Sequence, residues 1–189
     1  MIESSTLSLE DLDFEFENTT TRFIALSNLQ ELKLVGLTVN SLKKGKTSEA
    51  KNWIALRLVK SGHARFQDEY SMNIVSLNKI HWRETKLQKG RRISSLPEFF
   101  YPRLRRYLGE LKEKATSDVS FAIEYDRVDR LARDIAHCRL KKIVSLSASP
   151  SQTENVLGSL SKEERNLYDD LHSKILKWNS KILRIRSIK

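Results

Sequence analysis

Residues 160–185, LSKEERNLYDDLHSKILKWNSKILRI, carry the clearest structural signal in this chain. The capping-box pattern of Ser161 and Glu164 predicts that a helix begins there. A helix of this length presents an apolar stripe of roughly 35 Å, which requires a partner surface within the chain or on another chain. The apolar residues recur at the spacing of one helix face: Leu167, Leu171, Ile175, Trp178, Ile182 and Ile185.

Three further helices are predicted upstream of this segment. The helical period indicates a first helix that ends near Gly90 and a second that begins at Pro97, a residue suited to the first turn. A third helix should extend from about Asp118 to Leu146. We therefore expect residues 72–189 to form an α-helical bundle.

Residues 20–71 have the pattern of a small sheet. Short runs rich in apolar and β-branched residues at 22–26, 32–39 and 63–67 are typical of strands. Between them we expect a short helix over residues 49–60, capped by Thr47 or Ser48. Gly62 should end this helix, because glycine adopts the left-handed conformation of a C-cap.

The first 19 residues differ from the rest in charge. They contain six acidic residues and no lysine or arginine, and we expect an acidic N-terminal segment that is mobile or docks as a strand or turn. The whole chain is then predicted to be α+β, with a small N-terminal β-rich domain followed by a C-terminal α-helical bundle.

The net charge of the chain is +10, with basic clusters in residues 81–106 and 174–189. Such clusters attract polyanions and acidic protein surfaces. Aromatic residues accompany the first cluster, as in single-strand binders, but their helical spacing equally suits core packing beside a solvated basic face. The candidate contacts for nucleic acid or an acidic partner are Lys86, Lys89, Arg91, Arg92, Arg103 and Arg106.

Patterns for catalysis and metal binding are missing from the sequence. The four histidines are far apart without a second ligand at metal spacing, and the six glycines never cluster into a phosphate-binding loop. We expect no enzymatic activity, no cofactor, no metal and no small-molecule substrate. The lack of a long apolar run or a basic leader predicts a soluble intracellular protein without membrane contact.

Several segments resemble motifs of the subunits of the GINS complex, and their order and spacing along the chain support the match. One resembles the tryptophan segment of the small GINS B domain, and the others resemble helix starts and ends of the helical GINS A domain. They are NWIALRL (52–58) with SGHA (61–64), LPEFFY (96–101) preceded by Glu84, RLKKI (139–143) and LSKEE (160–164).

The resemblance implies an acidic segment over residues 1–19, a B domain over 20–71 and an A domain over 72–189. This domain order is similar to one of the two archaeal GINS subunit types. The family often has a proline just before the tryptophan segment, whereas this chain has Ala50 and Lys51 there.

The function implied by the resemblance is that of a non-catalytic replication factor. It would join a second GINS subunit type in a tetramer, and would scaffold and stimulate the MCM replicative helicase together with a RecJ-like or CDC45-like protein. The alternative is a basic module that contacts single- or double-stranded DNA directly. The candidate subunit-interface residues, whose spacing leaves core and interface roles open, are Tyr101, Leu104, Leu108, Leu171, Ile175, Trp178 and Ile182.

Overall fold

The computed structural model describes residues 8–34, 36–67, 72–86, 93–149 and 154–183. It divides into two compact units, with the boundary between Met72 and Asn73. The first unit contains the strands and the second is helical, so the predicted α+β class is confirmed. Within the described residues, no helix is long and apolar enough to cross a membrane.

The elements of the first unit are α1 (Leu9–Asn18), β1 (Thr20–Ala25), β2 (Leu32–Leu34), β3 (Leu37–Val39), β4 (Thr47–Lys51), α2 (Asn52–Lys60) and β5 (Ala64–Phe66). The unit is built on a three-stranded antiparallel sheet with strand order β4-β1-β5. Helix α2 packs on this sheet, and the core between them includes Phe23, Ile54 and Leu58. A separate hairpin is formed by β2 and β3.

The prediction of a mobile acidic segment, or of a strand or turn, was wrong for residues 9–18, which form helix α1. Ser8 and Asp11 make a reciprocal capping box, in which each side chain accepts the other's backbone N–H at 3.0 and 2.8 Å. Leu12 and Phe16 lie four residues apart and are buried, and α1 packs against α2. The tertiary contact therefore outweighs the alternating pattern of the sequence.

The predicted start of α2 was also wrong. Residues Thr47–Lys51 pair with β1 as strand β4, so the helix begins only at Asn52, without a side-chain cap at Lys51. The buried Asn52 amide donates to the Phe16 carbonyl at 3.1 Å and ties this helix start to α1. The predicted end is confirmed, since Gly62 has a φ of +75° and its N–H donates to the Val59 carbonyl at 3.0 Å.

The second unit consists of helices that pack around one long helix, α5 (Val119–Ser147), with α3 (Ile74–Lys86), α4 (Phe100–Ala115) and α7 (Lys162–Ile182) around it. Helix α5 has 29 residues, and α3, α4 and α7 each contact it. A short helix, α6 (Glu154–Leu157), precedes α7. The predicted extent of the long helix is confirmed to within one residue at each end, and Asp118 caps its start. The predicted capping box of Ser161 and Glu164 at the start of α7 is confirmed as well.

Helix α4 begins at Phe100, three residues later than the predicted start at Pro97. Phe99 precedes it in the left-handed region with a φ of 52°, and Pro102 occupies the first turn, where a missing N–H costs little. The predicted helix end at Gly90 and the last stripe position, Ile185, lie outside the described residues.

The docking of α1 predicts different effects for two phenylalanines of the same helix. Phe16→Ala should lower the free energy of unfolding by about 3–5 kcal/mol, because Phe16 is buried. Phe14→Ala should change it by less than about 0.5 kcal/mol, because that side chain is 69% exposed. Urea unfolding followed by circular dichroism measures both, and equal effects would contradict the docking of α1.

Candidate functional site

The guanidinium of Arg139 on α5 is fully buried at the centre of the helical unit. It forms a two-pronged pair with the Glu164 carboxylate on α7, with Nη2 donating to Oε2 at 2.6 Å and Nε donating to Oε1. Its Nη1 donates to Glu84 Oε1 on α3 at 2.8 Å. One arginine therefore joins three helices, with the fork geometry that carboxylates fit best.

A second cation completes the coordination of Glu84. Lys142, one turn after Arg139, places its Nζ 2.6 Å from Glu84 Oε2 and 3.0 Å from the Glu84 carbonyl. The Ser94 hydroxyl also donates to Glu84 Oε1, and the Ser94 carbonyl accepts from Arg139 Nη1 at 2.8 Å. These contacts hold the segment that leads into α4.

Helix α4 joins the same cluster through Tyr101, whose hydroxyl donates to Glu164 Oε1 at 2.7 Å. Glu164 also accepts the Ser161 N–H at 3.0 Å through the capping box. Two carboxylates and two cations balance in charge, and among the described residues no buried side-chain polar atom lacks a partner. We call this set the buried ion network: Glu84, Ser94, Tyr101, Arg139, Lys142 and Glu164.

The network shifts the pKa values of Glu84 and Tyr101. Burial raises the pKa of the Glu84 carboxyl, but Lys142, Ser94 and Arg139 outweigh burial and hold that pKa below its usual value. Burial and the Glu164 carboxylate raise the pKa of the Tyr101 hydroxyl, which therefore stays a donor. Since Glu84, Arg139 and Glu164 are at most 3% exposed, these groups cannot reach a substrate. The arrangement stabilises helix packing and does not suit acid–base catalysis.

The buried ion pairs were not predicted from the sequence. Glu84, Arg139, Lys142 and Glu164 stood there in family-like motifs, Glu164 also as part of a capping box, and Tyr101 also as an interface candidate. A signal was nevertheless present in α5. Arg139 and Lys142 follow Ile135 and precede Leu146 at steps of four, three and four. Charged residues at core positions of a helix indicate buried ion pairs, although the pattern does not identify their partners.

The structure places the predicted interface residues in different environments. On α4, Leu104 is buried, Leu108 is half-buried and Tyr101 belongs to the buried ion network. On α7, Leu171 packs half-buried against the core cluster of the helical unit.

Ile175 on α7 is also half-buried, while Trp178 and Ile182 are 60% and 63% exposed. Leu176 and Leu183, which were not among the predicted interface residues, are 50% and 74% exposed but lie on the other side of the helix, since residues one or two apart do not share a helix face. Ile175, Trp178 and Ile182 share one side of α7 at helical spacing, and we call this set the exposed α7 face.

The predicted basic contacts are only partly within the described residues. Lys86 is exposed at the end of α3, and its Nζ lies 4.0 Å from the centroid of the Trp82 ring. Arg103 and Arg106 lie half-buried on α4. The other three, Lys89, Arg91 and Arg92, lie outside the described residues. Among the residues that the structure describes, no group of three or more His, Cys, Asp or Glu side chains could hold a metal ion.

Comparison with known protein families gives a match to the helical part of the chain. The family model Sld5, described as the GINS complex protein helical bundle domain, matches residues 71–183. The matched range contains every member of the buried ion network. A search of the curated proteins finds no match.

Removing one partner from the buried ion network should strongly destabilise the helical unit. Arg139→Met should lower the free energy of unfolding by about 3–5 kcal/mol, because Glu84 and Glu164 would keep buried charges without a shared cation. Arg133→Met is the matched control, since Arg133 pairs with Asp129 at 2.7 Å on the surface and its loss should leave the unfolding midpoint nearly unchanged. Urea midpoints of the helical circular-dichroism signal measure both, and a wild-type midpoint for Arg139→Met would contradict the structural role.

The lowered pKa of Glu84 also predicts a pH dependence. In the folded protein the pKa of Glu84 lies below its usual value of 4.5. As pH falls, the Glu84 carboxyl is therefore protonated at a higher pH in the unfolded chain than in the folded protein. The stabilisation by Glu84 is therefore present above about pH 4.5 and is lost below it. Glu84→Gln should reduce the slope of unfolding free energy against pH in this acidic range. Equal slopes in wild type and Glu84→Gln would refute the assignment.

Proposed function

The chain belongs to the GINS family of DNA-replication proteins, since the family's helical bundle domain matches residues 71–183, and from this we propose that it acts as a non-catalytic scaffold. In this proposal the exposed α7 face packs against another GINS subunit. The resemblance of the sequence to GINS subunits is thereby confirmed. Assignment to the archaeal type remains part of the proposal.

The exposed α7 face is the observation that carries the proposal. The first half of α7 is held to the unit by Glu164, by the buried ring of Tyr168 and by His172 Nδ1, which lies 2.9 Å from the Ser147 carbonyl. Beyond Ser173, the described part of α7 contains no buried residue. A helix end that is apolar yet unburied within its own chain is typical of a subunit interface.

The charges around this face indicate the chemistry of the partner. Lys174, Lys177 and Lys181 are exposed on the same stretch of α7. Lys174 lies 3.5 Å from Asp170, while no acidic residue occurs from Lys174 to the last residue of the sequence. The partner surface should therefore combine an apolar centre with an acidic rim.

We extend this scaffold role to specific partners, to roles for the two units and to a place in the cell. The partners in the proposal are a second GINS subunit type in a tetramer, the MCM helicase and a RecJ-like or CDC45-like protein. Residues 72–189 would act as the assembly domain, and residues 20–71 as a B domain with a further contact surface. The protein would have no catalytic residues and would work at the chromosome, in the archaeal cytoplasm or the eukaryotic nucleus.

Substitution of Trp178 tests the scaffold role. Trp178→Ala should weaken binding to the partner GINS subunit at least about tenfold, because buried tryptophans are frequent interface hot spots. Co-purification of the two subunits, read by light scattering after size exclusion, measures assembly, and circular dichroism checks helicity.

The matched control for this test is Trp82→Ala on α3, whose indole is 58% exposed and lies outside the exposed α7 face. It should leave assembly unchanged. A Trp178→Ala subunit that still co-purifies at wild-type strength, or a wild-type chain that is a stable monomer beside its partner, would contradict the proposal.

A further inference from the structure

The outward face of α3 combines an exposed indole with three cations. Lys79, Arg83 and Lys86 are exposed and occur within eight residues of one helix. Trp82 stands among them with 58% of its surface exposed. At 1.5 Å per residue, the cations span about 10 Å along the helix axis.

The opposite face of α3 fixes this arrangement in place. Leu77, Ile80 and Glu84 are buried against the unit, and Glu84 is the only acidic residue of α3. Because Arg139 and Lys142 already neutralise Glu84, it does not compensate the outward cations. Asp134 approaches the helix from α5, with its Oδ2 lying 3.9 Å from His81 Nε2.

We propose that this α3 face binds single-stranded nucleic acid. The three cations would contact successive phosphates, and the indole of Trp82 would stack on a base, the combination found on single-strand binding surfaces. The Lys86 ammonium, 4.0 Å from the ring centroid, sits on a flexible side chain. It can move to a phosphate when a base approaches the indole.

An acidic protein surface fits this face less well than nucleic acid does. The outward apolar residues of α3 are Val75 and Trp82, seven positions and about 10 Å apart along the helix axis. A stable protein interface buries about 800 Å² on each partner around a dry apolar centre, which these two side chains do not form. A dense row of cations around one aromatic ring suits phosphates and bases. This inference stands independently of the scaffold role, which uses α7.

The contribution of the cations is measured by salt dependence. Binding of the full-length chain to a fluorescent oligothymidylate is followed by anisotropy at several salt concentrations. Lys79→Gln/Arg83→Gln/Lys86→Gln should reduce the slope of log affinity against log salt by about two, because each neutralised phosphate of a single strand adds about 0.7 to that slope. Lys112→Gln/Arg127→Gln/Lys141→Gln removes the same charge from exposed positions elsewhere on α4 and α5 and should leave the slope nearly unchanged.

The contribution of the indole is measured separately. Trp82→Ala should lower the affinity for the oligothymidylate about tenfold, whereas Trp178→Ala, with an equally exposed indole on α7, should not. The chain has three tryptophans, so Trp53→Phe/Trp178→Phe leaves Trp82 as the sole indole. Its fluorescence should be quenched by the oligonucleotide, as stacking requires, and not by polyglutamate.

Three results would overturn the inference. The first is an equal decrease of the slope of log affinity against log salt in both triple variants, which would show that the net charge attracts the oligonucleotide without a specific site. The second is unchanged affinity and fluorescence at Trp82. The third is tighter binding of polyglutamate than of the oligonucleotide, which would assign the face to an acidic protein. Because subunit assembly is read with Trp178→Ala and DNA binding with Trp82→Ala, failure of either proposal is seen without the other.

Discussion

Four ionised side chains at the centre of the helical unit set how its helices can pack. A buried charge is costly unless an opposite charge lies within hydrogen-bond distance. Here Glu84 comes from α3, Arg139 and Lys142 from α5, and Glu164 from α7. Any arrangement that separates these helices leaves a carboxylate or a cation unpaired in the interior. We interpret the network mainly as a device for specificity, because an apolar core of equal volume could be as stable.

The same network determines which surfaces remain available. Glu164 fixes the first half of α7, so the exposed α7 face lies on the part of the helix beyond the core. Glu84 fixes one face of α3, so that Trp82 and its neighbouring cations point outward. The buried ion network therefore fixes the orientation of two exposed surfaces of different chemistry. The exposed α7 face is apolar with lysines around it, and the outward face of α3 carries cations around a single indole.

The sequence predicted helix positions well where interactions between residues close in sequence determine them. The capping boxes and the 3.6-residue period act within one or two turns, so the start of α7 and the extent of α5 follow from the sequence. The errors lie where a distant contact decides. Thr47–Lys51 becomes a strand because β1, some 27 residues earlier, supplies its hydrogen-bonding partners. Residues 9–18 form a docked helix because α1 packs against α2, some 35 residues later, and buries Leu12 and Phe16.

The residue pattern alone established that this chain is α+β, that its second half is helical, and which side chains share each helix face. The motifs of the family were also visible in the sequence, because each motif is a short run of neighbouring residues. Only the tertiary structure showed that the charged Arg139 is buried and the largely apolar Trp178 is exposed, which is the opposite of what their polarities predict. A helical period determines which residues lie on one side of a helix. Whether that side meets the core, solvent or another chain depends on helices far away in sequence.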